Sequence, residues 1–279
     1  MNILEIEHLH AAFPGNTVLH DINLAIQTGR KTAIVGESGS GKTVLAQGVM
    51  RLNPDVSLQG SMRFQGEDLL VLPEKSLRKL RGRDIGMVFQ EPMTALNPVM
   101  PVGRQIAEVL TLHLGLDKRA AWQKAIDLLR ETGIQDAEEK VFAYPFQLSG
   151  GQRQRVMIAM AVAAEPKLLI ADEPTTALDV AVQAQILDLL DRLQRERNMT
   201  ILYITHDLNL VRRFADDVAV MRYGKIVEQG AVADIFANPQ HEYTRLLLDA
   251  VPQREVVCLS ENAQTVLQAE EIKVAVSRK

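Results

Sequence analysis

The chain has 279 residues, 47% of them hydrophobic, with a formal net charge of −4 at pH 7 and one cysteine, Cys258. That is enough to bury a sizeable core, as one large domain or two smaller units, and the acidic balance argues against a surface built to hold nucleic acid phosphates. A single cysteine excludes an intrachain disulfide and fits a reducing compartment. The start Met1-Asn2-Ile3-Leu4-Glu5 lacks the basic end and apolar core of a signal peptide. The longest apolar run, Val156 to Ala164, falls well short of the ~18 residues of a membrane span, so any membrane contact is expected through a partner.

In chain order, the alternating segments Ile3 to Phe13, Val18 to Ile26 and Ser57 to Phe64 predict antiparallel strands. Between the second and third lies Thr32-Ala33-Ile34-Val35, an apolar run that predicts a buried strand. Val44-Leu45-Ala46 then opens a helix expected to stop near Asn53-Pro54. The residues joining strand to helix, Gly36-Glu37-Ser38-Gly39-Ser40-Gly41-Lys42-Thr43, match the phosphate-binding pattern G-x-x-x-x-G-K-[ST]. Glycines let backbone N–H groups curl around a phosphate chain at a helix N-terminus already biased toward anions. In that arrangement Lys42 reaches the β- and γ-phosphates and the Thr43 hydroxyl holds Mg²⁺. A flexible Gly/Ser loop is the plain alternative, and the flanking strand and helix favour nucleotide binding.

After Gln90 the pattern changes. From about Val102 to Ala164 the periodicity is helical, with no convincing strand, and Trp122 is expected to pack inside this unit. Near its end, Leu148-Ser149-Gly150-Gly151-Gln152 offers small residues and free N–H groups at a helix start, a second anion site or simply a helix N-cap at Ser149. Strands then return, each followed by a helix, at Leu168 to Glu173, Ile201 to His206 and Val218 to Met221. This alternation predicts an α/β core with a largely parallel sheet. The first of these strands ends in two acids. Asp172 is placed to ligate Mg²⁺, and Glu173 to polarise a water for in-line attack on a γ-phosphate.

Together and in this order, the three segments closely resemble the nucleotide-binding subunit of an ATP-binding cassette (ABC) transporter, from about Ile3 to Pro252. The resemblance implies a P-loop NTPase (RecA-like) α/β core with an antiparallel β subdomain and a helical insertion, about 96–164, carrying the LSGGQ segment, all within a domain at 1–252. It implies ATP and Mg²⁺ as ligands. Gly36 to Thr43 (Gly36, Glu37, Ser38, Gly39, Ser40, Gly41, Lys42, Thr43) matches the Walker A loop, and Leu168 to Asp172 matches Walker B, followed by the catalytic Glu173. Gln90 matches the Q-loop glutamine, a catalytic and metal-side residue beside Thr43 and Asp172. Ala177-Leu178-Asp179 matches the D-loop, with Asp179 at the nucleotide, and His206 matches the H-loop histidine that helps place water and phosphate. Phe13 occupies the place of the aromatic residue stacked on adenine, where a core phenylalanine at a strand end is the alternative. Ser149, Gly150, Gly151 and Gln152 match the signature, which caps the ATP held by a second cassette docked head to tail, as homodimer, heterodimer or tandem domain.

Two further segments resemble the oligopeptide, dipeptide and nickel importers: Phe89-Gln90-Glu91-Pro92-Met93-Thr94-Ala95-Leu96-Asn97-Pro98 and His241-Glu242-Tyr243-Thr244-Arg245-Leu246-Leu247-Leu248. This implies two integral membrane permeases, an extracytoplasmic substrate-binding protein acting through them, no nucleic acid partner, and a peripheral location on the cytoplasmic face of the inner membrane. Peptide is the first substrate reading and nickel or a metal chelate the second. A non-transport ABC ATPase would carry a coiled-coil arm, a zinc module or a basic linker, and none is visible in the sequence. Many relatives bear a cysteine-rich stretch after His-x-Tyr-Thr; with Cys258 alone, no metal cluster is expected here. Residues 253–265 read as a polar tail or linker. At 266–279, Val266 to Val276 echoes Ile3 to Phe13, as the first strand of a second cassette in a tandem protein or as a chance alternation in a family-typical tail.

Overall fold

The computed structural model describes residues 1–176 and 178–250. Cys258, the polar tail at 253–265, the strand-like segment at 266–279 and Ala177 of the D-loop lie outside the described residues. The chain opens with the strands β1 (Asn2–Phe13), β2 (Asn16–Gln27) and β3 (Lys31–Val35), then helix α1 (Lys42–Val49), strands β4 (Ser57–Phe64) and β5 (Glu67–Asp68), helix α2 (Glu74–Leu80) and strand β6 (Ile85–Val88). Helices α3 (Pro92–Ala95), α4 (Val102–Leu114), α5 (Lys118–Glu131), α6 (Ala137–Lys140) and α7 (Gly150–Val162) follow without an intervening strand. The remainder is β7 (Leu168–Asp172), α8 (Val180–Arg197), β8 (Thr200–Thr205), α9 (Leu208–Phe214), β9 (Asp217–Arg222), β10 (Lys225–Ala231), α10 (Val232–Ala237) and α11 (Glu242–Asp249).

The strands form two sheets. One, in the order β2-β1-β4-β5, is antiparallel. The other runs β10-β9-β3-β8-β7-β6 and is parallel throughout except for the β9–β10 hairpin at its edge. This is the α/β architecture anticipated from the alternating pattern. The elements not anticipated are β5, α2, α3, β10 and α11: β5, α2 and α3 are short, and β10 is an edge strand whose residues are mostly half-exposed.

The inner strands β3, β7 and β8 carry runs of apolar residues without alternation because both faces are covered. Successive side chains feed opposite cores. Ala33, Val35, Leu169, Ala171, Ile201 and Tyr203 join the core shared with α7, α8 and the helical unit. Ile34, Leu168, Ile170, Leu202 and Ile204 join the core between the two sheets, with Ile6, Leu19 and Leu45. Trp122 packs half-buried in the helical unit, its ring tilted against Phe142 at 5.2 Å. Arg197 ties this unit to the core: its guanidinium donates to both carboxylate oxygens of Glu131 on α5, at 2.7 and 2.8 Å, and to the Val162 carbonyl of α7 at 2.6 Å.

Two strands stop one residue short of expectation, β7 at Asp172 and β8 at Thr205, and the end of α1 differs more. α1 ends at Val49, ahead of Asn53-Pro54, because Arg51 adopts a left-handed φ of 47°. Arg81 stabilises this early stop, donating from Nε to the Met50 carbonyl at 2.7 Å and from Nη2 to the Arg51 carbonyl at 3.0 Å.

Candidate functional site

Parallel pairing aligns the carboxyl ends of four neighbouring strands. Val35 pairs with Thr205, Asp172 with Ile204, and Val88 with Ala171. The loop after β3, Asp172 at the end of β7 with Glu173 just beyond it, His206 after β8 and Gln90 after β6 therefore emerge along one edge of the sheet, where open α/β sheets place ligand sites.

The phosphate-pattern loop packs tightly on the β9–β10 hairpin. A Cβ on Gly36, whose φ is 156°, would fall 2.1 Å from the Met221 carbonyl oxygen, so only glycine fits there. α1 begins at Lys42 with left-handed Gly41 (φ 99°) at its N-cap, no side chain capping it and no acid in its first turn. Its first N–H groups lack intrahelical acceptors, so the helix presents an uncompensated positive end suited to an anion. Lys42 is 5% exposed, and its Nζ donates to the carbonyls of Gly36 and Glu37, each at 2.8 Å. Burial pulls this ammonium below the ordinary lysine range, opposed by the charges of Glu173, Asp172 and Glu37.

Thr43 Oγ1 donates to Asp172 Oδ1 at 3.3 Å. Asp172 is 2% exposed, and burial is the main cause that pushes its carboxyl up to about 6. A hydroxyl and a buried carboxylate oxygen are hard donors, and a carboxylate so weakly compensated favours a nearby cation; the pair fits Mg²⁺.

Glu173 is the centre of the next cluster. Its backbone takes a left-handed φ of 44°, and its amide donates to the Ile204 carbonyl at 2.9 Å. This turn directs its carboxylate toward the neighbouring strand ends. Oε2 accepts from Thr176 Oγ1 at 2.8 Å and from Gln90 Nε2 at 3.4 Å, and His206 Nδ1 lies 3.2 Å away, a donor when that nitrogen carries the proton. The three residues expected to be catalytic thus meet at one oxygen. Asp207 begins α9, its carboxylate accepting from the Asn209 amide at 2.8 Å.

The signature segment is built as a reciprocal cap. Ser149 Oγ accepts from the Gln152 amide at 3.2 Å, while Gln152 Oε1 accepts from the Ser149 amide at 3.0 Å. Gly150 and Gly151 open α7, where a Cβ on Gly151 would meet Val182 of α8 at 3.0 Å. Asp179 is the N-cap of α8 and accepts from the Val182 amide at 2.9 Å. Ser38 and Gly39 sit exposed on the phosphate loop, and Ser40 is buried in it. Phe13 ends β1 half-buried, lining a small cavity with Val44, Gln47 and Gly48 of α1.

Comparison with known proteins gives the family of this chain. The sequence profile described as "ABC transporter" matches residues 19–176. The chain belongs to the ABC transporter family. It is 49% identical, over 98% of its length, to "Peptidoglycan transport ATP-binding protein YejF" of Agrobacterium fabrum (strain C58), of which it covers 51%. A second YejF protein, of Escherichia coli (strain K12), is 49% identical over 98% of the chain and 53% covered. The chain therefore spans about half the length of these two relatives. "Oligopeptide transport ATP-binding protein OppD" of Bacillus subtilis (strain 168) is 50% identical over 91% of the chain and 73% of its own length. Among solved structures, cbiO1 of Clostridium perfringens superposes with a TM-score of 0.73 at 32% identity, covering 85% of this chain and 91% of its own. The dimeric ABC transporter cassette MJ0796 gives 0.74 at 27% identity, covering 82% and 98%. The fold is thus that of ABC ATPase cassettes, a nucleotide-binding domain.

Two contacts at this ABC site escape sequence reading. Thr176 lies within the Asp172 to Asp179 stretch, yet its bond to Glu173 depends on the left-handed turn at Glu173, which the residue types do not reveal. Tyr243 reaches the phosphate loop across 206 positions, a contact with no local signal.

Proposed function

We propose that this cassette binds and hydrolyses ATP to drive uptake of a small solute, a peptide, through partner membrane permeases. The convergence of Thr176, His206 and Gln90 on Glu173 Oε2, on the same sheet edge as the uncapped start of α1, is the observation that carries the reading. Peptide as the cargo draws on the oligopeptide and dipeptide transport proteins among the relatives.

In this reading the loop from Gly36 to Thr43 cradles the β- and γ-phosphates, with Lys42 exchanging its two loop carbonyls for phosphate oxygens. Phe13 stacks on the adenine. Thr43, Asp172 and Gln90 would hold Mg²⁺, which neutralises charge on the phosphates. Glu173 accepts a proton from the attacking water as the bond from γ-phosphorus to the ADP oxygen breaks. The water oxygen bonds to γ-phosphorus, ADP departs, and His206 and Gln90, already paired with the Glu173 carboxylate, orient that water and the γ-phosphate. Ser149, Gly150, Gly151 and Gln152 cap the nucleotide of a second cassette, and Asp179 lies at the same dimer interface. The working assembly is two cassettes, two permeases and an extracytoplasmic binding protein, with the cassettes peripheral on the cytoplasmic face of the membrane. The boundaries 1–252 for the cassette and about 96–164 for its helical subdomain belong to the same proposal.

Glu173→Gln in the full-length protein tests it. Hydrolysis should fall at least about a hundred-fold while Mg-ATP holds two cassettes together on size-exclusion chromatography. Unchanged turnover would remove Glu173 from the chemistry. Solubilised membranes incubated with the trapped protein should yield two multi-span permeases; recovery of soluble partners alone would reject transport and leave the ATPase.

A further inference from the structure

The segment His241 to Leu248 stands out in the sequence, and the chemistry above leaves it unused. In the structure it touches the phosphate loop. The Tyr243 hydroxyl accepts a hydrogen bond from the Glu37 amide at 3.1 Å. The carbonyl of that same peptide unit, Gly36 O, accepts from Lys42 Nζ at 2.8 Å. The unit joining Gly36 to Glu37 is therefore held from both sides, by the loop's own lysine and by a tyrosine from the last described helix.

Tyr243 is itself firmly placed. It is 2% exposed, and the Arg222 guanidinium lies 4.5 Å from its ring centroid. Its own amide donates to His241 Nδ1 at 3.1 Å. The Glu228 carboxylate of β10 accepts from the amides of Gln240 at 2.7 Å and His241 at 3.1 Å, fixing the entry to α11. The β9–β10 turn adds a second brace, the Gly224 amide donating to the Ser40 carbonyl at 3.1 Å. A phenylalanine would fill the same buried space, so the hydroxyl's distinct contribution is the bond to Glu37.

We infer that Tyr243 is a positioning residue for the phosphate loop, which α11 holds in a binding-ready shape before nucleotide arrives. This rests on the nucleotide-binding reading of that loop. A loop ordered in advance loses less conformational freedom on binding, so removing the tether weakens affinity rather than the chemical step.

The test compares full-length wild type with Tyr243→Phe, which keeps the ring and its packing. ATP affinity by titration calorimetry, steady-state kinetics, thermal melting and amide exchange of the nucleotide-free protein are measured together. In the variant, Kd and KM for ATP should rise about three- to ten-fold, the worth of one neutral hydrogen bond, with kcat within about two-fold. Exchange at Glu37 to Gly39 should quicken by a similar factor while residues 242–249 keep their protection. Wild-type affinity and exchange in Tyr243→Phe would overturn the inference. So would faster exchange along 242–249 with a lowered melting temperature, the mark of a general loosening of α11. Wild type that fails to bind ATP would instead defeat the nucleotide reading, and faster exchange confined to Glu37 to Gly39 in the variant would then still support the tether.

Discussion

Thr176 Oγ1 donates to Glu173 Oε2 at 2.8 Å, the shortest of the contacts made by Gln90, His206 and Thr176 to that oxygen. The hydroxyl fixes one rotamer of a carboxylate carried on a left-handed residue. Thr176→Val keeps the shape and removes the donor. We expect kcat to fall about three- to ten-fold with KM for ATP unchanged, and Thr176→Ser to restore it. Equal turnover in Thr176→Val would show that Gln90 and His206 suffice to place Glu173.

Asp172 makes the metal-free protein sensitive to pH. Its folded value of about 6 lies above the ordinary 3.8, so the folded state binds its proton more tightly than the unfolded chain. The contribution to stability is greatest below pH 4 and is lost as pH rises toward 6, a cost of about 2–3 kcal/mol above that range. Asp172→Asn cannot ionise. In chelator at pH 7.5 it should denature later than wild type, and the difference should vanish near pH 4. The same variant should lose the added stability that Mg-ATP gives wild type. A wild-type denaturation midpoint for Asp172→Asn across this range would refute the buried-charge account.

Gly36→Ala places a methyl group against the Met221 carbonyl at 2.1 Å, with backbone on both sides of the clash. Destabilisation of about 3 kcal/mol is expected in urea unfolding, together with loss of ATP binding. An alanine variant within about 0.5 kcal/mol of wild type would mean that the β9–β10 hairpin yields easily.

Arg197 bridges α8 to α5 and α7, with its side chain 14% exposed and Glu131's 29%. Arg197→Ala leaves Glu131 and the Val162 carbonyl without this partner, and about 2 kcal/mol of stability should be lost. Arg197→Lys should recover only part of it, because an ammonium cannot reproduce the two-pronged contact with Glu131. Full recovery by lysine would reduce the bridge to its charge.

Much of the fold was legible from periodicity. Leu168 to Ala171 and Thr200 to Thr205 are apolar runs of strand length, and their burial on both faces follows from helices covering the sheet. The phosphate loop was legible because its glycines and lysine occur at a spacing few other structures need. What escaped depended on tertiary contacts. Arg51 and Arg81 end α1 early by binding carbonyls far along the chain, where composition pointed to Asn53-Pro54. β10 alternates too weakly to announce itself, and the Thr176 and Tyr243 contacts exist only once turns and helices have docked.

The reciprocal cap at Ser149 gives its hydroxyl a direction. Oγ receives the Gln152 N–H into a lone pair, so the hydroxyl's single proton is left to point elsewhere, on an exposed side chain. Intrachain bonding thereby biases a two-way group toward giving. Aspartate is as good a cap as serine, and would keep α7 folded while presenting negative charge with no proton to offer. Under the capping role proposed for Ser149, foldedness and affinity for an anion come apart at one atom, where a single substitution is expected to spare the first and reverse the second.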